Sequence, residues 1–472
     1  MTKENRQRLI YIVLDFLSTN VAWLLFNVIR FATIAGRQHQ FPDINTFLQS
    51  DQVIIGQILV PLVAMAIYYL SGYYNTPFLK SRFQEFVLTF TSATILTVGI
   101  FFAMLINDLT DDRAFSYKML FVLFGILFVV VYIPRITVTQ ITHVKIQRHK
   151  LSFNTLIVGT SYSAIEFGNR LMKMRRSMGF NIVGYVEADE GRRSPQLDKP
   201  VYGLDDLSQT CKDLNVRNLI IIPHRHGIKA TIDLINRLFP LDLPMFISPD
   251  LYHLMTSGAR ISNVAGEPLI DISRTEMSQS TLNIKRLSDI VIAAITLVAI
   301  SPLLLAVGIA VKLSSKGPII YSQERIGFHK KPFNIYKFRS MTTDAETSGP
   351  ALSSLNDPRI TRVGRFIRKY RLDELPQFWN VVKGDMSIVG PRPERDYYIK
   401  QIVARAPYYS LIHQVRPGIT SWGMVKYGYA SDIDGMIERL RYDILYIENV
   451  SFSVDMKIIF YTFRTILTGQ GI

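Results

Sequence analysis

Four apolar runs, at roughly residues 9 to 29, 53 to 73, 86 to 106 and 118 to 134, are each long enough to cross a bilayer, and they dictate how the rest of the chain is disposed. Basic residues set their direction. Lys3, Arg6 and Arg8 precede the first run, Lys80 and Arg82 lie between the second and third, and Arg135, Lys145, Arg148 and Lys150 follow the fourth. These ends belong in the cytoplasm. The acidic loop with Asp108, Asp111 and Asp112 suits the outer face, although Arg30 and Arg37 make the first outer loop less clean. Asp15 lies within the first span, near its cytoplasmic end, where an intramembrane carboxylate either serves function or is reached by water.

Composition agrees with a membrane protein carrying soluble parts. The chain has 472 residues, 48% of them hydrophobic, and a formal charge of +15. Its Lys and Arg residues sit beside apolar runs and among acidic residues, which fits a membrane face and phosphorylated substrates better than nucleic acid. The lone Cys211 excludes a disulfide framework and a Cys-ligated zinc site, and reads as an inert buried thiol. The first run lacks a small-residue cleavage site and is followed by further spans, so it is expected to be retained.

From about residue 152 the pattern becomes α/β. The strand Phe153 to Val158 runs into Gly159, Thr160 and Ser161 and then a helix, and further strands are expected at Ile182 to Val186, Asn218 to Ile222 and Pro244 to Ile247. This predicts a small Rossmann-like domain over 151–275. A dinucleotide site needs glycine at the second fingerprint position, where this chain has Ser161. A structural or regulatory module is the preferred reading, with Glu187 or Asp189 the evident ribose partners if a nucleotide does bind.

A second kind of apolar run spans Leu287 to Leu313, broken by Ser301-Pro302. Lys285 and Arg286 flank one end and Lys312 and Lys316 the other, so both ends belong on the cytoplasmic side. Pro302 removes a backbone donor and crowds the preceding turn, which favours a re-entrant hairpin at about 286–313 over a kinked through-span.

Ordered motifs follow: SQERIGF from Ser322, KFRSM from Lys337, DPRITRVG from Asp357, RLDELPQFWN from Arg371, KGDMSIVGPRPE from Lys383 and RPGIT from Arg416. Asp373 and Glu374 are adjacent carboxylates, and Pro376 is placed to open a helix toward Val382 while biasing Leu375 away from helical angles. The pair is expected in the turn at a helix N-terminus, where backbone donors favour phosphate. From spacing alone it serves equally well as a catalytic pair or as helix-capping acids.

Together these motifs resemble the bacterial sugar transferase family, the monotopic phosphoglycosyl transferases. The spans and the α/β insert resemble its long members, the polyprenyl glycosylphosphotransferases. The resemblance is very specific from Lys285 to the end and weak in the spans. It implies a membrane α plus α/β architecture: four transmembrane helices over 1–150, the Rossmann-like domain, and a mostly α catalytic domain over 276–472 with the re-entrant helix.

It further implies transfer of a hexose 1-phosphate from a UDP-sugar to undecaprenyl phosphate, initiating capsule, exopolysaccharide or O-antigen synthesis at the cytoplasmic face of the inner membrane. By resemblance Asp373 is the nucleophile that expels UMP, leaving an aspartyl phosphosugar, and Glu374 holds Mg²⁺. Arg368, Arg392, Lys337, Arg339 and Arg325 are the candidate phosphate or uridine contacts, Arg392 because Pro391 and Pro393 stiffen its backbone and because guanidinium matches phosphate with two parallel donors. Asp385 and Glu394 either shape the site or pair with an Arg. Gly364, Gly384, Gly390 and Gly418 mark turns. Trp422, Tyr427 and Tyr429 line a sugar pocket or, more commonly for aromatics near a membrane, anchor the face. Phe366 to Arg371 and Tyr408 to Arg416 read as short helices on the bilayer surface. A homodimer through the insert or the spans is compatible with all of this.

Two other classes fit the residues less well. A membrane-anchored nucleotide-sugar dehydratase or epimerase needs a tight glycine fingerprint and a Tyr followed four residues on by Lys, and the sequence has neither. A non-enzymatic assembly scaffold would keep its function when Asp373 is replaced by Asn.

Overall fold

The computed structural model describes residues 3–35, 41–75, 77–78, 80–103, 113–174, 179–188, 199–222, 227–247, 270–271, 277–342, 357–428, 430 and 432–467. Asp108, Asp111, Asp112, Arg37, Asp189 and Tyr429 lie outside the described residues. The chain forms two compact units, one built on the first 152 residues with Ser278–Ile284, the other holding the remainder of the described chain apart from Gly179, which belongs with the first.

The first unit is a bundle of four helices long and apolar enough to cross a membrane: α1 (Lys3–Arg30), α2 (Asp51–Leu70), α3 (Arg82–Ala103) and α4 (Arg113–Gln147). Helix α1 packs against α2 and α4, and α3 against α4. Trp23, Phe26, Ala64, Tyr68, Leu96 and Leu127 fill the interior, while Ile55, Ile58 and Leu62 point outward. An outward apolar surface is what a bundle solvated by lipid presents.

Two features differ from expectation. Helix α4 runs for 35 residues, straight through Pro134 and Arg135, where the sequence pattern suggested its apolar part would stop. Asp15, expected near water, is fully buried. One contact explains both: the Arg135 guanidinium donates Nε to Asp15 Oδ1 at 2.7 Å and Nη2 to Oδ2 at 2.8 Å. Tyr74 donates to the same carboxylate at 2.8 Å, Arg135 Nη1 to Thr89 at 3.1 Å, and the guanidinium lies 3.8 Å from the Tyr73 ring centroid. A bidentate pair with its remaining donors satisfied lets both charges sit among apolar neighbours.

In the second unit β1 (Phe153–Val158), α5 (Tyr162–Lys173), β2 (Phe180–Val186), β3 (Val201–Tyr202), α6 (Leu207–Asp213), β4 (Asn218–Ile221), α7 (Gly227–Leu238), β5 (Met245–Ile247) and β6 (Ile270–Asp271) build a sheet of order β3-β2-β1-β4-β5-β6. It is parallel except for β6. Strand β1 sits between β2 and β4, and its Leu156, Ile157 and Val158 are fully buried, as an unbroken apolar run in a central parallel strand should be. The turn after β1 reaches φ +132° at Gly159, and Ser161 Oγ accepts the Ala164 amide to cap α5. The residue at the second fingerprint position thus works as a helix cap. Burial leaves Cys211 a free thiol and pushes it up to about 11.

The same unit continues with α8 (Gln279–Ala299) from Lys285 onward, α9 (Ser301–Ser314), the hairpin β7 (Ile320–Ile326) and β8 (Pro332–Phe338), α10 (Arg362–Lys369), α11 (Gln377–Lys383), β9 (Ser387–Val389), α12 (Asp396–Arg405), β10 (Gly418–Thr420), α13 (Ile433–Glu448) and α14 (Phe452–Leu467). Helices α8 and α9 meet at 63°. The break falls at Ile300, so Pro302 opens α9, where a missing N–H has no partner to lose. Ile335, Val381, Met386, Val389, Ile402 and Leu440 form the core beneath the hairpin and α11. Of the two expected surface helices, α10 is present with Phe366 exposed, whereas Pro407–Gln414 is a 3₁₀ segment with Tyr409, Ser410, Ile412 and His413 buried.

Removing one member of the Asp15–Arg135 pair leaves a buried charge unmatched, which costs about 3–5 kcal/mol. Arg135→Leu is therefore expected to lower the thermal unfolding temperature of the detergent-solubilised chain strongly, and Asp15→Leu combined with Arg135→Leu to restore a large part of the loss.

Candidate active site

The segment joining α10 to α11 is short and tightly wound. Thr361 caps α10 by accepting the Gly364 amide at 2.9 Å, and Gly364 lies inside that helix rather than in a turn; the position needs glycine because any Cβ there would collide with the Ser340 carbonyl. After α10 the chain reverses through Arg371 at φ +56°, then makes a 3₁₀ turn over Leu372–Glu374. Leu375 is helical (φ −56°, ψ −34°), against the expectation set by the following proline. Its amide bonds to Leu372 at 3.3 Å, and Pro376 stands as N-cap of α11, where it has no hydrogen bond to break. Gly384 ends α11 at φ +111°, and Arg286 donates to the carbonyls of Val381 (2.7 Å) and Val382 (3.2 Å) at that end.

This places Asp373 and Glu374 side by side at the start of α11, with only 7% and 5% exposed. Their surroundings differ. Glu374 Oε1 accepts from Lys337 Nζ at 2.8 Å and from Arg392 at 3.3 Å, and Oε2 lies 3.6 Å from Arg371. Burial alone would push Glu374 up, but Lys337, Arg392 and Arg371 outweigh it and hold the carboxyl well below its ordinary range. Asp373 has no counterpart of those bonds: among the described residues no side chain donates to it. Burial, then the charge of Glu374, raises it to about 6, against the pull of Lys337, Arg368 and Arg371. One carboxylate is neutralised and fixed, and its neighbour is charged at neutral pH and uncommitted.

The other candidates are divided. Lys337 and Arg392 meet at Glu374, and Arg368, whose Nε donates to Ser340 Oγ at 3.0 Å, contributes its field to Asp373. Arg339 turns away, donating Nη2 to the Ser315 carbonyl (2.6 Å) and hydroxyl (3.0 Å) at the end of α9. Arg325 donates to Glu394 at 3.1 Å and to the Pro393 carbonyl at 3.2 Å, and Glu394 is also held by Arg439 at 2.5 Å. These bonds brace the Pro391–Glu394 segment that delivers Arg392. Asp385 pairs with Lys383 at 3.0 Å. Arg371 was not singled out from the sequence, since nothing in its residue type signals a left-handed turn. Asn380 was missed too, although it stands in the same motif.

The described residues include no cluster of three or more His, Cys, Asp or Glu side chains able to hold an ion by themselves. Asp373 and Glu374 do offer an oxygen-only donor set. That set fits a hard cation such as Mg²⁺, which takes one or two carboxylates and fills its other positions with phosphate and water oxygens.

The family model described as bacterial sugar transferase matches residues 280–469, which contain all of these side chains. The chain is 48% identical over 188 residues to a UDP-N-acetylgalactosamine-undecaprenyl-phosphate N-acetylgalactosaminephosphotransferase of Aeromonas hydrophila, covering 40% of this chain and 44% of that one. It is 35% identical over 301 residues to a UDP-glucose:undecaprenyl-phosphate glucose-1-phosphate transferase of Escherichia coli, covering 62% and 64%. A protein of the same name from Caulobacter vibrioides is 40% identical over 189 residues, covering 40% and 71%. The chain belongs to the bacterial sugar transferase family. Its alignments span less than two thirds of the length of the first two relatives.

The hairpin that delivers Lys337 is anchored at its other end by His413, whose Nδ1–H donates to the Gly327 carbonyl at 3.0 Å. Burial, then the charge of Lys330, lowers His413 to about 3 from 6.5. The unfolded chain therefore binds the extra proton first as pH falls below 6.5, so stability drops between pH 6.5 and 3, by roughly 3 kcal/mol at pH 4.5. His413→Gln, which keeps a donor and does not titrate, is expected to flatten that part of the curve of unfolding temperature against pH.

Proposed function

We propose that this chain transfers a hexose 1-phosphate from a UDP-sugar to undecaprenyl phosphate, with Asp373 as nucleophile. The observation that carries the reading is the contrast at the start of α11, a fully matched Glu374 beside an unmatched, buried Asp373. A carboxylate oxygen of Asp373 attacks the sugar-bearing phosphorus, the bond from that phosphorus to the UMP oxygen breaks, and UMP leaves with the electron pair. A phosphate oxygen of the polyprenyl acceptor then attacks the same phosphorus and the aspartyl–phosphorus bond breaks, regenerating Asp373.

Phosphoryl transfer asks the protein mainly for position and positive charge. Lys337, Arg371 and Arg392 provide the charge and Arg368 adds to it, while Arg325 and Arg339 act through the segments they brace. Glu374 would hold Mg²⁺, which supplies neutralising charge to a diphosphate. The names of the three relatives given above, each a transferase acting on undecaprenyl phosphate, support the acceptor.

Placement follows the same logic. Basic residues flank both ends of the bent α8–α9 pair, and Val298, Leu305 and Leu313 face outward. A re-entrant helix returning to the cytoplasmic face of the inner membrane fits both facts and keeps the site beside soluble donors and the acceptor's headgroup. The sheet of 151–275 is read as a Rossmann-like module, and the reaction as the opening step of a surface glycan.

Full-length protein incubated with Mg²⁺, undecaprenyl phosphate and a panel of UDP-sugars is expected to release UMP with one of them. Asp373→Asn should cut release by about a thousand-fold or more, and the parent, given donor without acceptor, should carry a phosphosugar on the peptide containing Asp373. Full activity in Asp373→Asn would overturn the reading.

A further inference from the structure

The hairpin β7–β8 is a two-stranded sheet, so β8 keeps one open edge. Backbone groups on such an edge need partners when they are covered. One side chain supplies them: Asn380, fully buried on α11, accepts the Tyr336 amide on Oδ1 at 3.1 Å and donates Nδ2 to the Asn334 carbonyl at 2.7 Å. Nδ2 also lies 3.3 Å from Asp385. A side-chain amide offers an acceptor and a donor from one planar group, as a strand's backbone does, so Asn380 stands in for a third strand.

The placement matters because of what comes next along β8. Alternation puts Phe333, Ile335 and Lys337 on one face. Ile335 is buried in the core with Val381, and Lys337 reaches Glu374 at 2.8 Å. A slip of one residue would turn Lys337 to the opposite face. We infer that Asn380 is a positioning residue: it locks the register of β8 against α11, the helix that begins just after Asp373 and Glu374, and so places Lys337 at the carboxylate pair. For its consequence on activity the inference rests on the proposed reaction, but the lock itself does not.

The test uses the full-length protein and two readouts. Competitive amine labelling followed by mass spectrometry compares Lys337 with Lys400, whose side chain is 77% exposed. In the parent Lys337 should react much more slowly than Lys400, and Asn380→Ala should raise its relative rate at least about five-fold as the clamp opens. Asn380→Asp keeps the acceptor for Tyr336 and loses the donor for Asn334. It should fall in between, and it decides the question if the alanine variant fails to fold.

UMP release should drop on the order of ten- to a hundred-fold in Asn380→Ala. It should drop little further when Lys337→Ala is added, the double variant staying within about two-fold of Lys337→Ala alone. Unchanged labelling of Lys337 in both Asn380 variants, or losses that simply multiply, would overturn the assignment. Should the parent release no UMP from any donor, the proposed reaction fails, and the labelling still decides the role of Asn380.

Discussion

A carboxylate withdrawn from water has to be answered by positive charge, and Glu374 is answered three times. Lys337 comes from the end of β8, Arg371 from the turn before the 3₁₀ segment and Arg392 from the loop after β9. No two of these belong to the same element. The need to neutralise one buried anion therefore draws a hairpin, a turn and a proline-braced loop to a single point, and Asp373 inherits the field they create. Its own carboxyl is raised rather than lowered because burial, and then the anion next to it, outweigh the pull of those cations.

Helix α11 is the part on which these pieces converge. It is only seven residues long, too short to persist by its own propensity. It is held at its end by Arg286 from α8, along its side by Asn380 against β8, and underneath by Val381 in the core. A second layer, Arg325, Glu394 and Arg439, does for the Arg392 loop what these contacts do for the helix. Side chains that never approach Asp373 thus determine where the charges around it stand.

How much of this could be read from the sequence depended on whether a residue's role is local. The four long apolar helices and four of the six strands of the sheet were legible because apolar runs are properties of neighbouring residues, whereas the two-residue strands β3 and β6 are too short to leave such a run. Asp373, Glu374, Lys337 and Arg392 were legible from their motifs, and the structure brings them together. Arg339 and Arg325 carry the same chemistry in equally conspicuous motifs, yet their guanidiniums serve the end of α9 and the Pro391–Glu394 segment. Residue type alone does not tell which way a guanidinium turns. The Asp15–Arg135 pair joins residues 120 positions apart, and no window on the sequence spans it. Leu375 shows the converse, a sound local rule for the residue before proline overridden by the 3₁₀ turn it continues.

The turn at Arg371 has a consequence for how such a chain can change. Left-handed backbone suits glycine, and any other L-residue there forgoes about 1–2 kcal/mol. Chain stability and site chemistry accordingly pull this position in opposite directions: glycine would relax the turn, and it would also strip Glu374 of one of its three cations. Selection for thermal tolerance alone would favour the residue that leaves Glu374 with Lys337 and Arg392 only, so stability by itself gives no reason for an arginine at 371.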